Sequence, residues 1–161
     1  METSNAFKNI EDILGNANER YFGTGYKKVH YLQKKKQISF EEIRETFELH
    51  YPKNWSTKKT EVAMTPHFST LDAVVLAVKL VTDFLREQLV VEENSINNAL
   101  ISKLTIKAGK NLVENLNNVE AHLSLFSNNE LLFKGKIASF SVELTIELFD
   151  ESKQINVLNG E

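Results

Sequence analysis

The chain has 161 residues, a net charge of -3 and 42% hydrophobic residues, values typical of one folded domain with a real core. Because it lacks cysteine, disulfides, thiolate metal sites and cysteine nucleophiles are excluded, and its mild acidity gives no general attraction to nucleic acid or anionic membranes. The first residues include acidic side chains and no apolar signal segment, so we expect a cytoplasmic location.

The predicted elements begin with a short amphipathic helix over residues 5–15, where apolar residues recur at helical spacing before a glycine. A strand that leaves a glycine-bracketed turn is favoured between Tyr26 and Tyr31, and the lysines at 34–36 predict a solvated turn. Alternation of apolar and polar residues then predicts a strand over residues 43–51.

The stretch PHFSTLDAVVLAVKLVTDFLREQL predicts one long helix over about residues 69–89. Ser69 and Asp72 have the spacing of a capping box at its start. From Ala73 to Val81 the helix is apolar except at Lys79, and a helix that is apolar all round has to be enclosed. The apolar run is shorter than the ~20 residues that span a bilayer, so we expect a central helix wrapped by other elements.

After this helix the apolar residues recur with a period of two, which indicates strands. Three are predicted, around residues 104–108, 119–125 and 138–148. Gly135 is a candidate bulge near the start of the last strand, and Asn128-Asn129 a candidate hairpin turn between the last two.

Strands on both sides of one apolar helix indicate an α+β domain in which an antiparallel sheet wraps the helix, the arrangement called a hotdog fold. The predicted organisation is an N-terminal helix or arm at 1–18, a single hotdog domain at 19–149 and a polar C-terminal tail at 150–161. Because such domains usually pair about a two-fold axis, we expect a homodimer or pairing with a second hotdog subunit.

Three segments resemble the AvrD family, the avirulence-D group of syringolide-type signal-biosynthesis proteins: RYFGTGY at 20–26, YPKNWSTK at 51–58 and PHFSTLDA at 66–73. The resemblance is densest over residues 20–80. It implies longer relatives built of two hotdog-like halves, of which this chain corresponds to the first.

The third segment also resembles the dehydratase domains of polyketide synthases, in which His-Pro-x-x-Leu-Asp-Ala opens the hotdog helix and carries a catalytic Asp. Four residues match at the same spacing: His67, Leu71, Asp72 and Ala73. Phe68 replaces the proline, Leu76 stands where a glutamine is usual, and the His-x-x-x-Gly-x-x-x-x-Pro motif of the dehydratase base is missing. The resemblance therefore implies the acid without a complete catalytic pair.

Two interpretations stay open for Asp72 and for His67. Asp72 is a general acid at the start of a buried helix, or the helix cap that pairs with Ser69. His67 is a base that orients Asp72, or a loop residue bonded to the backbone. Ser69, Thr70 and the free N–H groups of the first turn form a site for a thioester carbonyl.

The loop after residue 52 adds the only tryptophan of the chain, Trp55, and Lys58. On one interpretation, these two residues clamp an anionic acyl carrier. On the other, the tryptophan packs the long loop against the domain and the lysines are solvated. Together with Phe68, Ser69 and Thr70 they complete the predicted substrate-binding set.

The lysines at 27–28 and 34–36 suit a protected strand edge, a docking patch for an acidic acyl-carrier protein, or nucleic acid, which the overall acidity disfavours. The histidines lack ligand spacing, so neither a metal nor a resident cofactor is expected.

The resemblance and the residues together predict an enzyme that acts on an acyl or β-ketoacyl thioester, by dehydration or condensation, in making a small lipid-derived signal or secondary metabolite. The substrate would be carried on CoA or an acyl-carrier protein, with Asp72 and His67 as catalytic residues. The alternative is a non-catalytic hotdog subunit or acyl-binding partner of a second hotdog protein.

Overall fold

The computed structural model describes residues 16–19, 21, 23–52 and 65–149. Its regular elements are β1 (His30–Ile38), β2 (Glu42–His50), α1 (Thr70–Glu87), α2 (Glu93–Asn97), β3 (Leu100–Lys107), β4 (Val119–Ser127), β5 (Leu132–Ile137) and β6 (Phe140–Glu147). Short 3₁₀ helices lie at Ala17–Glu19 and Gly25–Lys28. The predicted helix at 5–15, the loop with Trp55 and Lys58, and the tail from residue 150 lie outside the described residues.

The strands form one antiparallel sheet in the order β1-β2-β4-β5-β6-β3. In this order β1 and β3 are the two edge strands. Helix α1 packs on β2, β4, β5 and β6. The α+β prediction is confirmed, and this arrangement is compatible with a hotdog fold.

The core lies between α1 and the inner face of the sheet. Alternate residues of each strand point to this face because successive side chains of a strand point to opposite sides. The largest fully buried side chains include Phe47, Leu80, Phe84, Leu123 and Phe133. The rings of Phe84 and Phe133 meet edge to face at 5.4 Å between centroids. Burial of each such side chain contributes about 1.5–3 kcal/mol.

Helix α1 is covered on one side rather than enclosed. Its start is as expected, with Ser69 as N-cap and a complete capping box with Asp72. Val75 and Val78, on the side away from the sheet, are 39% and 40% exposed. Within the described part of the chain, no helix is both long enough and apolar enough to cross a membrane.

The prediction of a solvated turn at residues 34–36 was wrong, because these lysines lie inside β1. The favoured strand start at Tyr26 was also wrong, since Gly25–Lys28 is a 3₁₀ helix and β1 begins at His30. Strand β1 is an edge strand, where the backbone of the lysines pairs with β2 and the side chains of Lys34 and Lys35 reach solvent.

Four strands follow α1, rather than the three predicted, because β5 was missed; a turn at 138–139 separates it from β6, which begins at Phe140. Ala138 adopts a φ of 51° there. Gly135 is not a bulge near a strand start; it lies inside β5, where a Cβ would stand 2.0 Å from His122 O. The turn that includes Asn128-Asn129 joins β4 to β5, not the last two strands.

Candidate functional site

Asp72 is a fully buried acidic residue at the third position of α1. Its Oδ2 accepts hydrogen bonds from Ser69 N at 2.7 Å and from Ser69 Oγ at 2.6 Å. Ser69 Oγ lies 3.3 Å from Asp72 N, which completes the reciprocal capping pattern. The carboxylate therefore caps the helix, whatever else it does.

Three tyrosine hydroxyls also converge on Asp72, each from a different part of the chain. Tyr31, on β1, donates to Oδ1 at 2.6 Å, and Tyr51, directly after β2, donates to Oδ2. Tyr21 lies 3.3 Å from both oxygens and 2.8 Å from Ser69 Oγ. We call Asp72, Ser69 and these three tyrosines the tyrosine cage.

The sheet and the helix position this cage. Tyr31 is the second residue of β1 and Tyr51 follows the last residue of β2, so the antiparallel pairing of the two strands places them at the same end of the sheet. The rings of Tyr21 and Tyr51 stack, with centroids 5.7 Å apart and planes inclined by 26°. Helix α1 begins at this end, which places its free N–H groups beside the phenols.

Burial and the nearby carboxylate make the phenols hard to ionise. Burial raises the pKa of Tyr21 to about 12, although its hydrogen bond with Ser69 acts in the opposite direction. Burial and, after it, the hydrogen bond to Asp72 raise the pKa of Tyr31 and of Tyr51 well above the usual value of 10.0. At neutral pH all three are therefore hydrogen-bond donors and not bases.

His67 reaches the cage through its backbone. Its carbonyl oxygen accepts from the Tyr51 hydroxyl at 3.1 Å, while its ring Nδ1 lies 3.4 Å from Thr65 O. Among the hydrogen bonds between described residues, none joins the His67 ring to Asp72. The two predicted catalytic residues thus share Tyr51 as a neighbour without direct pairing of their side chains.

The remaining predicted site residues have different surroundings. Ser69 belongs to the tyrosine cage, and Thr70 is exposed as the first residue of α1. Phe68 is buried against Phe140, with ring centroids 5.6 Å apart. Trp55 and Lys58 lie outside the described residues, so the predicted clamp for an acyl carrier stays a prediction.

Sequence reasoning placed Tyr31 in a strand and gave Tyr21, Tyr31 and Tyr51 no role in the site. Tyrosine is a common strand residue, and nothing in its spacing announces a shared partner. The one available signal was that Tyr21 and Tyr51 both stand in segments that resemble the AvrD family.

A second cluster, on the opposite face of the sheet, resembles a catalytic triad only in composition. His122 Nε2 lies 2.9 Å from Glu42 Oε2 and 3.1 Å from Ser124 Oγ. A triad uses the two ring nitrogens for two different partners, whereas one nitrogen serves both here. The adjoining depression, of about 340 Å³, is open and has the exposed rings of Phe40 and Phe126 in its lining.

No group of three or more potential ligand residues in the described ranges could hold a metal ion. The tyrosine cage is the candidate site because it brings a buried carboxylate, three phenol hydroxyls and the start of α1 together.

A comparison with protein families matches residues 5–142 to the model described as Pseudomonas avirulence D protein (AvrD). Neither a curated protein nor a solved structure matches the chain. The family match covers most of the 161 residues, including all elements of the sheet up to the start of β6 and the whole tyrosine cage. The chain therefore belongs to the AvrD family.

Proposed function

We propose that this chain is an enzyme that acts on an acyl or β-ketoacyl thioester, by dehydration or condensation, in making a small lipid-derived signal or secondary metabolite. Membership of the AvrD family suggests involvement in syringolide-type signal biosynthesis. The single observation that supports a reaction centre is the buried Asp72 at the start of α1, with three tyrosine hydroxyls directed at it.

The chemistry of the site favours a carbonyl substrate. The first turn of α1 supplies backbone N–H groups that have no carbonyl acceptor within the helix. Such groups stabilise negative charge on a substrate carbonyl oxygen. A phenol that turns from Asp72 to the substrate would add a further donor, because it stays protonated at neutral pH.

In a dehydration, the carbon next to the thioester carbonyl loses a proton and the β-carbon loses its hydroxyl as water. Asp72 is our candidate to accept or return the proton, with His67 as the second proton-transfer residue. Ser69, Thr70, Phe68, Trp55 and Lys58 are the proposed pocket residues. The acyl group would arrive on CoA or on an acyl-carrier protein.

Native mass spectrometry tests this proposal on the purified 161-residue chain, with saturated, β-hydroxy and β-keto acyl-CoAs as probes. We expect one class to be retained or converted, and conversion to fall about 100-fold or more in Asp72→Asn and His67→Ala. His30→Ala, which changes an exposed histidine on β1, serves as the matched control. Full turnover by both site variants would contradict the assignment of the proton-transfer residues.

A non-catalytic role has one specific observation in its favour. Asp72 has no solvent-exposed surface, and its oxygens already accept from Ser69 and the tyrosines. The chain would then hold an acyl ligand, or pair with a second hotdog subunit that carries out the reaction. Tight acyl-CoA binding without conversion, or co-purification with another hotdog chain, would favour this alternative.

We further propose that two such domains pair through the sheet. Among the described strands, β3 forms one edge of the sheet and carries three exposed aliphatic side chains, Leu100, Ile101 and Leu104, whereas the opposite edge carries a lysine run. Exposed apolar edges favour addition of another strand, and lysines oppose it. The mass of the untreated protein in the same native spectra distinguishes a homodimer from a monomer.

A further inference from the structure

A line of polar contacts joins the edge strand β1 to helix α1. The contacts follow the same order along both elements: Tyr31 with Asp72, Gln33 with Lys79, and Lys36 with Asp83. A register shift between Gln33 and Lys35 changes the alternation of β1, so that Lys36 rather than Lys35 faces the helix. The side chain of Lys36 is accordingly only 19% exposed.

The lysine end of this line encloses a carboxyl group, Glu45 of β2. Its side chain has 0% exposure, and its Oε1 has no hydrogen-bond partner. Lys79 Nζ stands 3.3 Å from Glu45 Oε2, and Lys36 Nζ stands 3.8 Å from Oε1. Both lysines lie closer to Asp83 Oδ2, at 2.7 Å for Lys79 and 3.0 Å for Lys36. Lys79 is therefore engaged mainly by Asp83, and Lys36 by Asp83 and Glu87.

The charges around Glu45 balance only when it is neutral. Strand β1 contributes Lys36, which also pairs with Glu87, and α1 contributes Lys79 and Asp83. On the other side its strand neighbour is the uncharged Ala121 of β4. Also on α1, Arg86 lies 3.4 Å from Asp83 Oδ1 and pairs with Glu93 of α2. With these groups counted, an ionised Glu45 would give four carboxylates, Glu45, Asp83, Glu87 and Glu93, for three cations.

The surroundings also shift the pKa values of Glu45 and Asp83 in opposite directions. Burial raises the pKa of Glu45, against the charge of Lys79, which lowers it. Burial opposes ionisation of Asp83 as well, but the hydrogen bonds from Lys79 and Lys36 bring the pKa of that carboxyl below its usual value. Of the two acids on the same pair of lysines, Glu45 is therefore the one that holds its proton to higher pH.

We propose that Glu45, Lys36, Lys79 and Asp83 form a proton-operated clamp that fixes β1 on α1 and so holds Tyr31 against Asp72. In the closed state Glu45 is a neutral acid and Asp83 pairs with both lysines. Loss of the Glu45 proton to solvent creates a buried charge whose Oε1 has no donor and which competes with Asp83 for the lysines. The contact between β1 and α1 then loosens along its length.

The direction of the pH dependence follows from this. A buried acid whose folded pKa lies above its unfolded value keeps a proton that the unfolded chain has released. The stabilisation is complete below the unfolded pKa and is lost as the pH rises to the folded pKa, above which the curve is flat. The clamp therefore weakens as the solution becomes less acidic.

Urea unfolding of the full chain and of Glu45→Gln, from about pH 4 to about pH 8, tests the proposal. The unfolding equilibrium constant of the natural chain should rise relative to that of Glu45→Gln by about threefold or more across this range. Glu48→Gln is the matched control on the same strand. Its partner Lys34 lowers the pKa of the Glu48 carboxyl. The unfolding equilibrium constant of the natural chain should therefore fall, relative to that of Glu48→Gln, as the pH rises.

Two measurements on the natural chain keep the clamp open to refutation even if Glu45→Gln does not fold. Carbon-13 NMR of the Glu45 carboxyl should show titration above the ordinary glutamate range. Hydrogen exchange of the β1 amides, corrected for intrinsic rates, should accelerate over the same pH interval. Any of three results would overturn the proposal. Glu45 could titrate in the ordinary glutamate range, the corrected exchange rates of the β1 amides could be independent of pH, or Glu45→Gln could be less stable than the natural chain near pH 8.

Discussion

Replacement of Asp72 separates its role as helix cap from its role as acceptor for the tyrosines. In Asp72→Asn one oxygen becomes an NH₂ group, and the structure indicates which one. Oδ2 accepts from the Ser69 amide, which cannot reverse its direction, whereas Oδ1 accepts from the Tyr31 hydroxyl, which can rotate and accept instead. The new NH₂ group should therefore take the place of Oδ1.

This orientation keeps the cap and weakens only the tyrosine contacts, so Asp72→Asn should cost about 1–3 kcal/mol of unfolding free energy. Asp72→Ala removes both acceptors and leaves several buried donors unpaired, and we expect about 3–5 kcal/mol. Ser69→Ala, which loses the serine hydroxyl of the capping box and leaves the carboxylate in place, should cost about 0.5–2 kcal/mol.

Urea unfolding at neutral pH measures the three variants on one scale. The expected order of destabilisation is Asp72→Ala, then Asp72→Asn and Ser69→Ala at smaller and similar values. If Asp72→Ala were no less stable than Ser69→Ala, the tyrosine hydroxyls would not depend on the carboxylate, and the reasoning from the cage would be refuted.

Three further predictions concern separate parts of the molecule. Gly135→Ala should destabilise the chain by about 2 kcal/mol or more, measured by urea unfolding, because the new Cβ meets the backbone oxygen of His122 at 2.0 Å. Hydrogen bonds from Arg44 and His122 lower the pKa of Glu42 to about 2, so its stabilising contribution is present above the ordinary carboxyl range and is lost as pH falls toward 2. Acid unfolding of Glu42→Gln should lack that component, and an unchanged acid limb would contradict the pairing. Burial moves the pKa of Tyr21 to about 12, so an ultraviolet titration of the natural chain minus Tyr21→Phe should show a phenol that ionises near that value rather than at 10.0.

Local signals predicted some elements closely. The capping box at Ser69 and Asp72 depends on residues three apart, so the start of α1 could be read from the chain itself. Strand β2 was predicted within a residue of its limits, because its inner face alternates strictly with a solvated one. Membership of the AvrD family was also predicted correctly.

Other features had no local signal. The turn between β5 and β6 continues the apolar alternation through Ala138, a residue type that rarely takes a positive φ and so gave no warning. The contact between Lys79 and Glu45 spans 34 positions of sequence. Lys79 stood out as the one charged residue between Ala73 and Val81, but only the packing of β2 under α1 supplies its partner Glu45.

The lysine run of β1 has a consequence for insertions and deletions in that strand. In an ordinary strand, a slip of one position turns every side chain to the other face. Here Lys34, Lys35 and Lys36 are chemically identical, so a shifted strand would still present an ammonium group to Asp83. The strand already holds one extra residue, because its pairing with β2 shifts between Gln33 and Lys35. Loss of one lysine should therefore remove this shift and keep Tyr31 paired with Leu49 and Ile38 with Ile43, so that Tyr31 still donates to Asp72.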